Sequence, residues 1–306
     1  MSTLASIIIV NYNTHEHLRD CLRSIKEKIK SVDFEVIVVD NNSTDRAIED
    51  VACEFPEFYF YFRKQNDGFG AGCNFGANQY SSGAEYLVFV NPDIIFTDNS
   101  ILKLHEFMEN NKAVAVCTPL FINRNNELLY SYNFDINILW ELCGSLNMGL
   151  SRIKKKLMSR PEIKNNIPFE IDWGLGALLF VRKRAFQEAG GFDERFFLYS
   201  EDNDLQFRIR KNGHKIMCIP YVKVIHYYGS SMDDYNSKAN YNFYLYRSKM
   251  IYAYKHFKWF KRNILRFILI GGLLLRIFKV TILNKKDIRL QLVNSLSAIL
   301  KSYKVF

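Results

Sequence analysis

The chain has 306 residues, 48% hydrophobic and 24% charged, with 41 Lys and Arg against 32 Asp and Glu for a net charge of +9. This length allows one large domain or a domain with an appendage, and the composition excludes a disordered chain. The six cysteines (Cys21, Cys53, Cys73, Cys117, Cys143 and Cys218) form no CxxC pair and no Cys/His cluster, which excludes a zinc module and fits free thiols in a reducing cytoplasm.

Residues 6–10 (SIIIV) read as a buried parallel strand, too short and lacking the basic flank of a signal peptide. Leu18, Cys21, Leu22 and Ile25 recur at helical spacing, so a helix is expected from His15 to Lys30. A second strand covers Glu35–Val39, a helix Ala47–Phe55, and a short aromatic strand Tyr59–Phe62. The loop 65–72 opens a helix expected over Gly72–Ser81, and the strand Tyr86–Val90 ends in Asn91-Pro92-Asp93. Strands alternating with helices predict an α/β fold with a mostly parallel sheet, whose ligands bind beyond the carboxyl ends of the strands. Three such ends carry similar polar groups: Asn11 and Asn13, Asp40 and Asn42, and Asn91 and Asp93.

Ser100–Met108 reads as a helix and Val114–Phe121 as a strand. Residues 123–166 show no period, contain the basic run Lys154-Lys155-Lys156, and read as a variable insertion or a solvated loop and helix. An apolar strand over Ile171–Arg182 is entered through a Gly-containing turn. A short helix follows over Lys183–Gly190, and strands are expected at Lys215–Pro220 and Val222–His226.

Four motifs carry candidate chemistry. The segment 66–74 (NDGFGAGCN) is neither a dinucleotide fingerprint nor a P-loop, since its glycines have the wrong spacing and no GK[ST] follows. Its glycines suit a tight turn or close approach to a ligand at a helix start. Asp93 at a strand end is a turn residue or a ligand for Mg²⁺ or Mn²⁺ bridging a diphosphate. Glu201 and Asp202 fall at a helix start, where acids complement the dipole and where a general base for an acceptor hydroxyl also fits. His226, at another strand end, is structural or a ligand for metal or phosphate.

In chain order, SIIIVNYN, VIVVDNNSTD, NDGFGAGCNFG, FVNPD, GALLFVRKRAFQEAGGFDERFFLYSEDNDLQFRIRKNG and VIHYYGSS resemble the family 2 inverting glycosyltransferases of GT-A fold, within them the bacterial rhamnosyltransferase-like branch. The pieces span residues 5–231. The resemblance implies a mixed, mostly parallel sheet flanked by helices. It implies that Asn11, Asn13, Asp40, Asn42, Phe69, Gly70 and Asn91 bind a nucleotide-sugar donor, dTDP-L-rhamnose or a UDP-sugar. Asp93 takes the place of the metal-binding Asp of a DxD-type motif, with Asn91 standing where the first Asp would be, and His226 that of a metal or diphosphate neighbour. Asp202 matches the catalytic base. Trp173, Gly176, Phe197, Tyr199, Glu201 and Asp204 are expected around the acceptor, with Phe197 and Tyr199 as a stacking wall. The implied acceptor is a lipid-linked saccharide of bacterial surface polysaccharide synthesis, and the implied cofactor Mg²⁺ or Mn²⁺.

From Lys255 to Lys286 the chain holds nine Lys/Arg and no acid. On a helical wheel Lys255, Lys258, Lys261, Arg262, Arg266, Arg276 and Lys279 share an arc of about 140°. Phe260, Ile264, Phe267, Ile268, Leu274, Leu275 and Phe278 lie mainly outside it. The longest apolar run is far short of the ~20 residues that span a bilayer. Either an interfacial helix on an anionic leaflet or a helix packed with its basic face solvated is expected, with a kink or break at Gly271-Gly272. The expected division is a catalytic domain over 1–240 and a helical, membrane-associating extension over 241–306, peripheral on the cytoplasmic face of the inner membrane. Nucleic acid is excluded as partner, because the basic excess sits beside bulky apolar residues and no nucleic-acid motif appears. A non-catalytic nucleotide- or glycan-binding module on the same scaffold is the alternative to an enzyme.

Overall fold

The computed structural model describes residues 4–44, 47–79, 83–146, 157–227 and 235–302, with side chains of the last stretch from 242 onward. Asp45, Tyr80-Ser81, Lys154-Lys155-Lys156 and the YGSS at 228–231 lie outside the described residues. The chain divides into two compact units, one within Met1–Phe134, Met158–Glu194 and Asp202–Ser230, the other within Asp135–Leu157, Arg195–Glu201 and Ser231–Phe306.

The first unit is built on β1 (Ala5–Asn11), β2 (Phe34–Asp40), β3 (Tyr59–Phe62), β4 (Tyr86–Val90), β5 (Ile94–Phe96), β6 (Val114–Ile122), β8 (Phe169–Glu170), β10 (Leu178–Arg182) and β11 (Lys215–His226). Their order is β3-β2-β1-β4-β10-β6-β11-β5, with β8 beside β11. A small second sheet pairs β7 (Tyr132–Asn133) with β9 (Trp173–Gly174). β1, β4 and β6 are buried along their whole length, as strands covered on both faces must be. The apolar stripe Leu18, Cys21, Leu22, Ile25 of α1 (His15–Lys28) is buried as its spacing predicts. The α/β class and the mixed sheet are as expected.

β1 runs parallel to β2 and β4. β10 is antiparallel to both β4 and β6, and β11 is parallel to β6. The carboxyl ends of β1, β2, β4, β6 and β11 therefore meet at one edge of the sheet, together with the amino end of β10.

Several local expectations are corrected. The segment 171–182 is not one strand: a turn at Leu175–Ala177 separates β9 from β10. The two strands expected from 215 to 226 are one, with an irregularity between Ile219 and Lys223 that absorbs Pro220. β5 begins directly after Asp93, a turn too short for periodicity to reveal. The unpatterned stretch contains β7, α5 (Ile138–Ser145) and α6 (Pro161–Lys164).

The second unit contains α5, α9 (Tyr235–His256), α10 (Trp259–Ile282) and α11 (Lys286–Lys301). Tyr246, Met250, Ala253, Leu265, Leu269, Leu273, Leu292 and Ile299 form its core. α10 runs unbroken through Gly271-Gly272. A Cβ on Gly272 would lie 2.6 Å from Ser145 Cβ, so this glycine permits close packing of α10 on α5 rather than a kink. The break falls earlier, at Phe257-Lys258, between α9 and α10.

Glycine has the same use in α3, which spans Phe69–Ala77, starting three residues earlier than expected. Gly72 and Gly76 lie inside this helix and face the sheet, not a ligand. A Cβ on Gly72 would meet Val10 Cγ1 at 2.8 Å, and one on Gly76 would meet Ile8 Cγ2 at 2.6 Å and Val39 Cγ2 at 3.1 Å. Alanine at 76 gains ~1 kcal/mol of helix propensity but forces a β-branched wall that has no room to yield, costing about 1–3 kcal/mol. Gly76→Ala is expected to lower net stability, read as a lower urea midpoint.

Candidate active site

At the end of β1 and β2 the register pairs Asn11 with Asp40. Asn11 is fully buried. Its amide donates to Asp40 Oδ1 at 2.9 Å and to Ser43 Oγ at 3.2 Å, while its carbonyl accepts from Thr14 Oγ1 at 2.8 Å. Ser43 adds two donors to the Asp40 carboxylate, its N–H at 2.9 Å and its hydroxyl at 2.6 Å. Asn13, at φ 54, caps the neighbouring loop by accepting from the Thr44 N–H at 2.8 Å. Asn42, at φ 62, is exposed at the loop tip. The group expected to touch a nucleotide thus divides: Asn11 shapes the two loops from inside, and Asn13 and Asn42 present polar surface.

The next loop is joined to this corner by residues that pattern reading missed. Arg63, just past β3, donates to Asn41 Oδ1 at 2.8 Å and to Asp67 Oδ2 at 2.8 Å. Asn41 Nδ2 donates to the Gly68 carbonyl at 3.0 Å. Gly68 itself, at φ 98, needs its lack of a side chain to start α3. Phe69 follows, half-buried and edge-on to Phe192 at 6.1 Å, and Gly70 is buried in the first turn.

Asn91 continues β4 and donates its N–H to the Ala177 carbonyl at 2.9 Å. The turn that follows buries Asp93. β5 then pairs with β11 so that Ile94 faces His226. This pairing sets His226 Nε2 3.4 Å from Asp93 Oδ1, both side chains buried, with the His226 ring edge-on to Phe121 at 5.2 Å. A cavity of about 500 Å³ opens here, lined by Asn123, Arg124, Asn125, Leu129, His226 and Tyr227, and the Arg124 guanidinium lies 4.3 Å from the Tyr227 ring centroid. Asp93 and His226 are 133 residues apart by numbering and share no motif, so only the β5–β11 pairing brings them together. Among the described residues no group of three or more His, Cys, Asp or Glu forms a ready metal cage.

Asp202 lies in the first turn of α8 (Glu201–Lys211) and is buried. Its carboxylate accepts from the Gly176 N–H at 2.8 Å and the Asn203 N–H at 2.8 Å. Burial nevertheless dominates and pushes its pKa above the ordinary aspartate value, against the lowering effect of those two donors. Gly176 belongs to the turn that leads into β10, one residue from the carbonyl that binds Asn91. The base candidate and the end of β4 are therefore linked through Ala177 and Gly176.

Gln206, one turn along the helix from Asp202, completes the attachment. Its Oε1 accepts from the Gly174 N–H at 2.8 Å, and its Nε2 donates to the carbonyls of Gly174 at 2.8 Å and Asp202 at 3.0 Å. A Cβ on Gly174 would lie 2.6 Å from Thr118 Cγ2, so only glycine brings this backbone so close to β6. Gln206 was absent from the sequence reading, although its i,i+4 spacing from Asp202 was the available signal. Trp173 is pinned by its indole N–H to the Phe134 carbonyl at 3.2 Å.

Asp204, expected near the acceptor, is fully buried and committed to Arg208, whose Nε and guanidinium terminus lie 2.9 and 2.8 Å from Oδ2. Arg208 also binds the Ala189 carbonyl, which ties α8 to the Gly190-Gly191 turn after α7 (Lys183–Glu188). Phe197, Tyr199 and Glu201 belong to the second unit. There Phe197 stacks on Tyr244 at 4.7 Å, the Leu198 carbonyl accepts from Ser248 Oγ at 2.8 Å, and Tyr199 and Ser200 both take positive φ. Glu201 is buried at the start of α8.

A mixed sheet with polar strand ends gathered at its carboxyl edge and a buried acid at the following helix start is the GT-A glycosyltransferase architecture. The chain belongs to glycosyltransferase family 2: the family described as "Glycosyl transferase family 2" matches residues 6–188. It is 25% identical over 239 residues to rhamnosyltransferase WbbL of Escherichia coli, covering 76% of this chain and 87% of that one. It is 26% identical over 292 residues to the N-acetylglucosaminyl-diphospho-decaprenol L-rhamnosyltransferase of Mycobacterium tuberculosis, covering 90% and 92%. The fold is also that of the mannosyltransferase PcManGT of Pyrobaculum calidifontis, solved with GDP-Man and Mn²⁺, at a TM-score of 0.59 and 14% identity over 99% of this chain and 88% of that one.

Removing the Gln206 amide leaves the buried N–H and C=O of Gly174 without partners, at ~1–3 kcal/mol each. Gln206→Ala is expected to lower the thermal midpoint and to reduce kcat more than it raises donor KM, because it loosens the turn that positions Asp202. An unchanged kcat in a folded variant would show that this turn does not position the reacting group.

Proposed function

We propose that this chain transfers a sugar with inversion, L-rhamnose from dTDP-L-rhamnose, to a lipid-linked saccharide in the synthesis of a bacterial surface polysaccharide. Asp202 is the observation that carries the reading. A buried carboxylate, fixed by two backbone N–H groups and raised in pKa, sits in the turn-linked neighbourhood of the strand end that bears Asp93. That is what a general base acting on a neutral hydroxyl needs. The names of the two curated relatives support rhamnose as the sugar, and the second supports an acceptor built on a polyprenyl diphosphate. UDP-hexoses are the competing donors.

In the proposed reaction the acceptor oxygen attacks the anomeric carbon, the bond from that carbon to the diphosphate breaks, and the acceptor proton passes to Asp202. Loops around Asp40, Asn13 and Asn42 receive the nucleoside, and Phe69, Gly70 and Asn91 lie on the sugar-diphosphate side. Asp93 and His226 offer one oxygen and one nitrogen at 3.4 Å, a pair that fits a divalent cation taking its other ligands from diphosphate and water. With an imidazole in the set, Mn²⁺ suits it better than Mg²⁺. When bound, such a cation neutralises the charge that gathers on the leaving diphosphate. The catalytic domain is assigned to residues 1–240 and the helical extension to 241–306, working at the cytoplasmic face of the membrane.

Asp202→Asn is expected to bind donor as the unaltered protein does and to lose about 10²–10⁴-fold in turnover. The acid limb of kcat/KM belongs to the same group. A protonated Asp202 takes no proton, so the rate falls as pH drops, and burial places that fall above the usual carboxylate range near ~4. Near-normal turnover in Asp202→Asn would sink the assignment. A donor panel of dTDP-L-rhamnose, UDP-glucose and UDP-galactose, run before and after EDTA, tests the remaining parts. Transfer from dTDP-L-rhamnose alone, lost on chelation and restored better by Mn²⁺ than by Mg²⁺, is the expected result. Full activity after chelation would remove the metal from the scheme.

A further inference from the structure

α10 is turned opposite to the way a water-facing helix turns. Phe260, Phe267, Leu274, Phe278 and Ile282 are 69%, 72%, 50%, 67% and 67% exposed. At 100° per residue these five share an arc of about 80°. Between Phe260 and Ile282 the stripe runs about 33 Å along the helix axis. The opposite face, Leu265, Leu269 and Leu273, forms the core of the second unit.

Much of the basic arc foreseen as a solvated face points into that unit. Arg276 donates to the Gly144 carbonyl at 2.9 Å and to Tyr246 Oη at 3.3 Å. Arg262 and Arg266 are half-buried, with Arg262 4.4 Å from the Tyr254 ring centroid. The cations left in solvent, Lys258, Lys261, Lys279, Lys285 and Lys286, flank the apolar stripe and its two ends.

We infer that the Phe260–Ile282 stripe is a docking face for an anionic lipid bilayer. α10 lies in the membrane plane, the stripe enters the boundary between headgroups and acyl chains, and the flanking lysines reach the lipid phosphates. Three observations select this occupant. The stripe is a helix-long apolar face, larger than scattered surface leucines account for. No described helix is long and apolar enough to cross a membrane, so burial in lipid must be lateral. The sequence from 255 to 286 has nine cations and no acid, so a second copy of the stripe would meet like charge, whereas phosphatidylglycerol offers the opposite sign. The inference deepens the proposed function by naming the surface that would meet a membrane-held acceptor; it rests on that reading for its use, not for its physics.

The test is co-sedimentation of the full chain with vesicles of phosphatidylglycerol and phosphatidylethanolamine, and with pure phosphatidylcholine vesicles. The unaltered protein is expected to pellet with the anionic vesicles and to be released as salt is raised. Phe267→Ser with Phe278→Ser is expected to weaken binding at least about tenfold. Lys279→Gln with Lys285→Gln and Lys286→Gln should weaken it several-fold on anionic vesicles alone. All these side chains are exposed, so unchanged circular dichroism and thermal midpoints are expected. Protein that stays in solution with anionic vesicles overturns the inference, as does a Phe variant that binds as well as the unaltered protein. Dimerisation abolished by the Phe substitutions, without vesicle binding, overturns it in favour of self-association. Transfer to a water-soluble acceptor, measured on the same samples, separates the two readings. Transfer without vesicle binding removes the docking face only, and vesicle binding without transfer from any donor removes the proposed function only.

Discussion

The hydrogen bond from the Gly176 N–H to the Asp202 carboxylate is the contact on which the candidate site depends. It fixes a buried charge that would otherwise have no reason to leave water, and it does so from a turn already bonded to the end of β4. Gly174 and Gly176 make this possible by lacking side chains, the first against Thr118 and the second against Asp202 itself. Gln206 closes the arrangement by satisfying both backbone groups of Gly174. The acid is thus oriented by main chain, which cannot swing between rotamers, and the cost of burying it appears as a raised pKa.

The rest of the sheet edge obeys the same economy of backbone. Asn11 and Asp40 meet because β1 and β2 are in register, and Asp93 meets His226 because β5 turns back on β11. Close helix–sheet packing at Gly72 and Gly76 draws α3 against β1 and β2 behind the loop that ends at Gly68. Polar groups from six separate segments then face one edge without any of them being adjacent in sequence. This is why a GT-A sheet changes donors by altering loops while keeping its ladder.

The two units follow different physics. In the first, parallel strands bury nearly every apolar side chain, and polarity is concentrated at the strand ends. In the second, α10 buries one apolar face and leaves another in the open, with arginines drawn inward to carbonyl and aromatic partners. The unit's own core covers one of these faces and leaves the other to water, and lipid is the proposed cover that its lysine flanks suit.

The sequence by itself determined the α/β class, most helix and strand positions, and the ordered motifs that mark the family, because period, chain order and turn residues are local properties. Asp40, Asp93, Asp202 and His226 were all visible as polar residues at element ends. Their partnerships were not. No spacing rule connects Asp93 to His226 or Asp202 to Gly176, since sheet register and an antiparallel strand inserted between parallel ones decide those distances. In one dimension Gly72 suits a tight turn or a ligand approach and Gly272 a kink or break; a neighbouring strand or helix makes both of them, and Gly76 as well, packing positions. Asp204, two residues from Asp202 and expected around the acceptor, is turned by the helix to Arg208. The wheel of α10 was legible, but which side of it the chain would bury was not: tertiary packing chose the arginine-bearing side and left the phenylalanines outward.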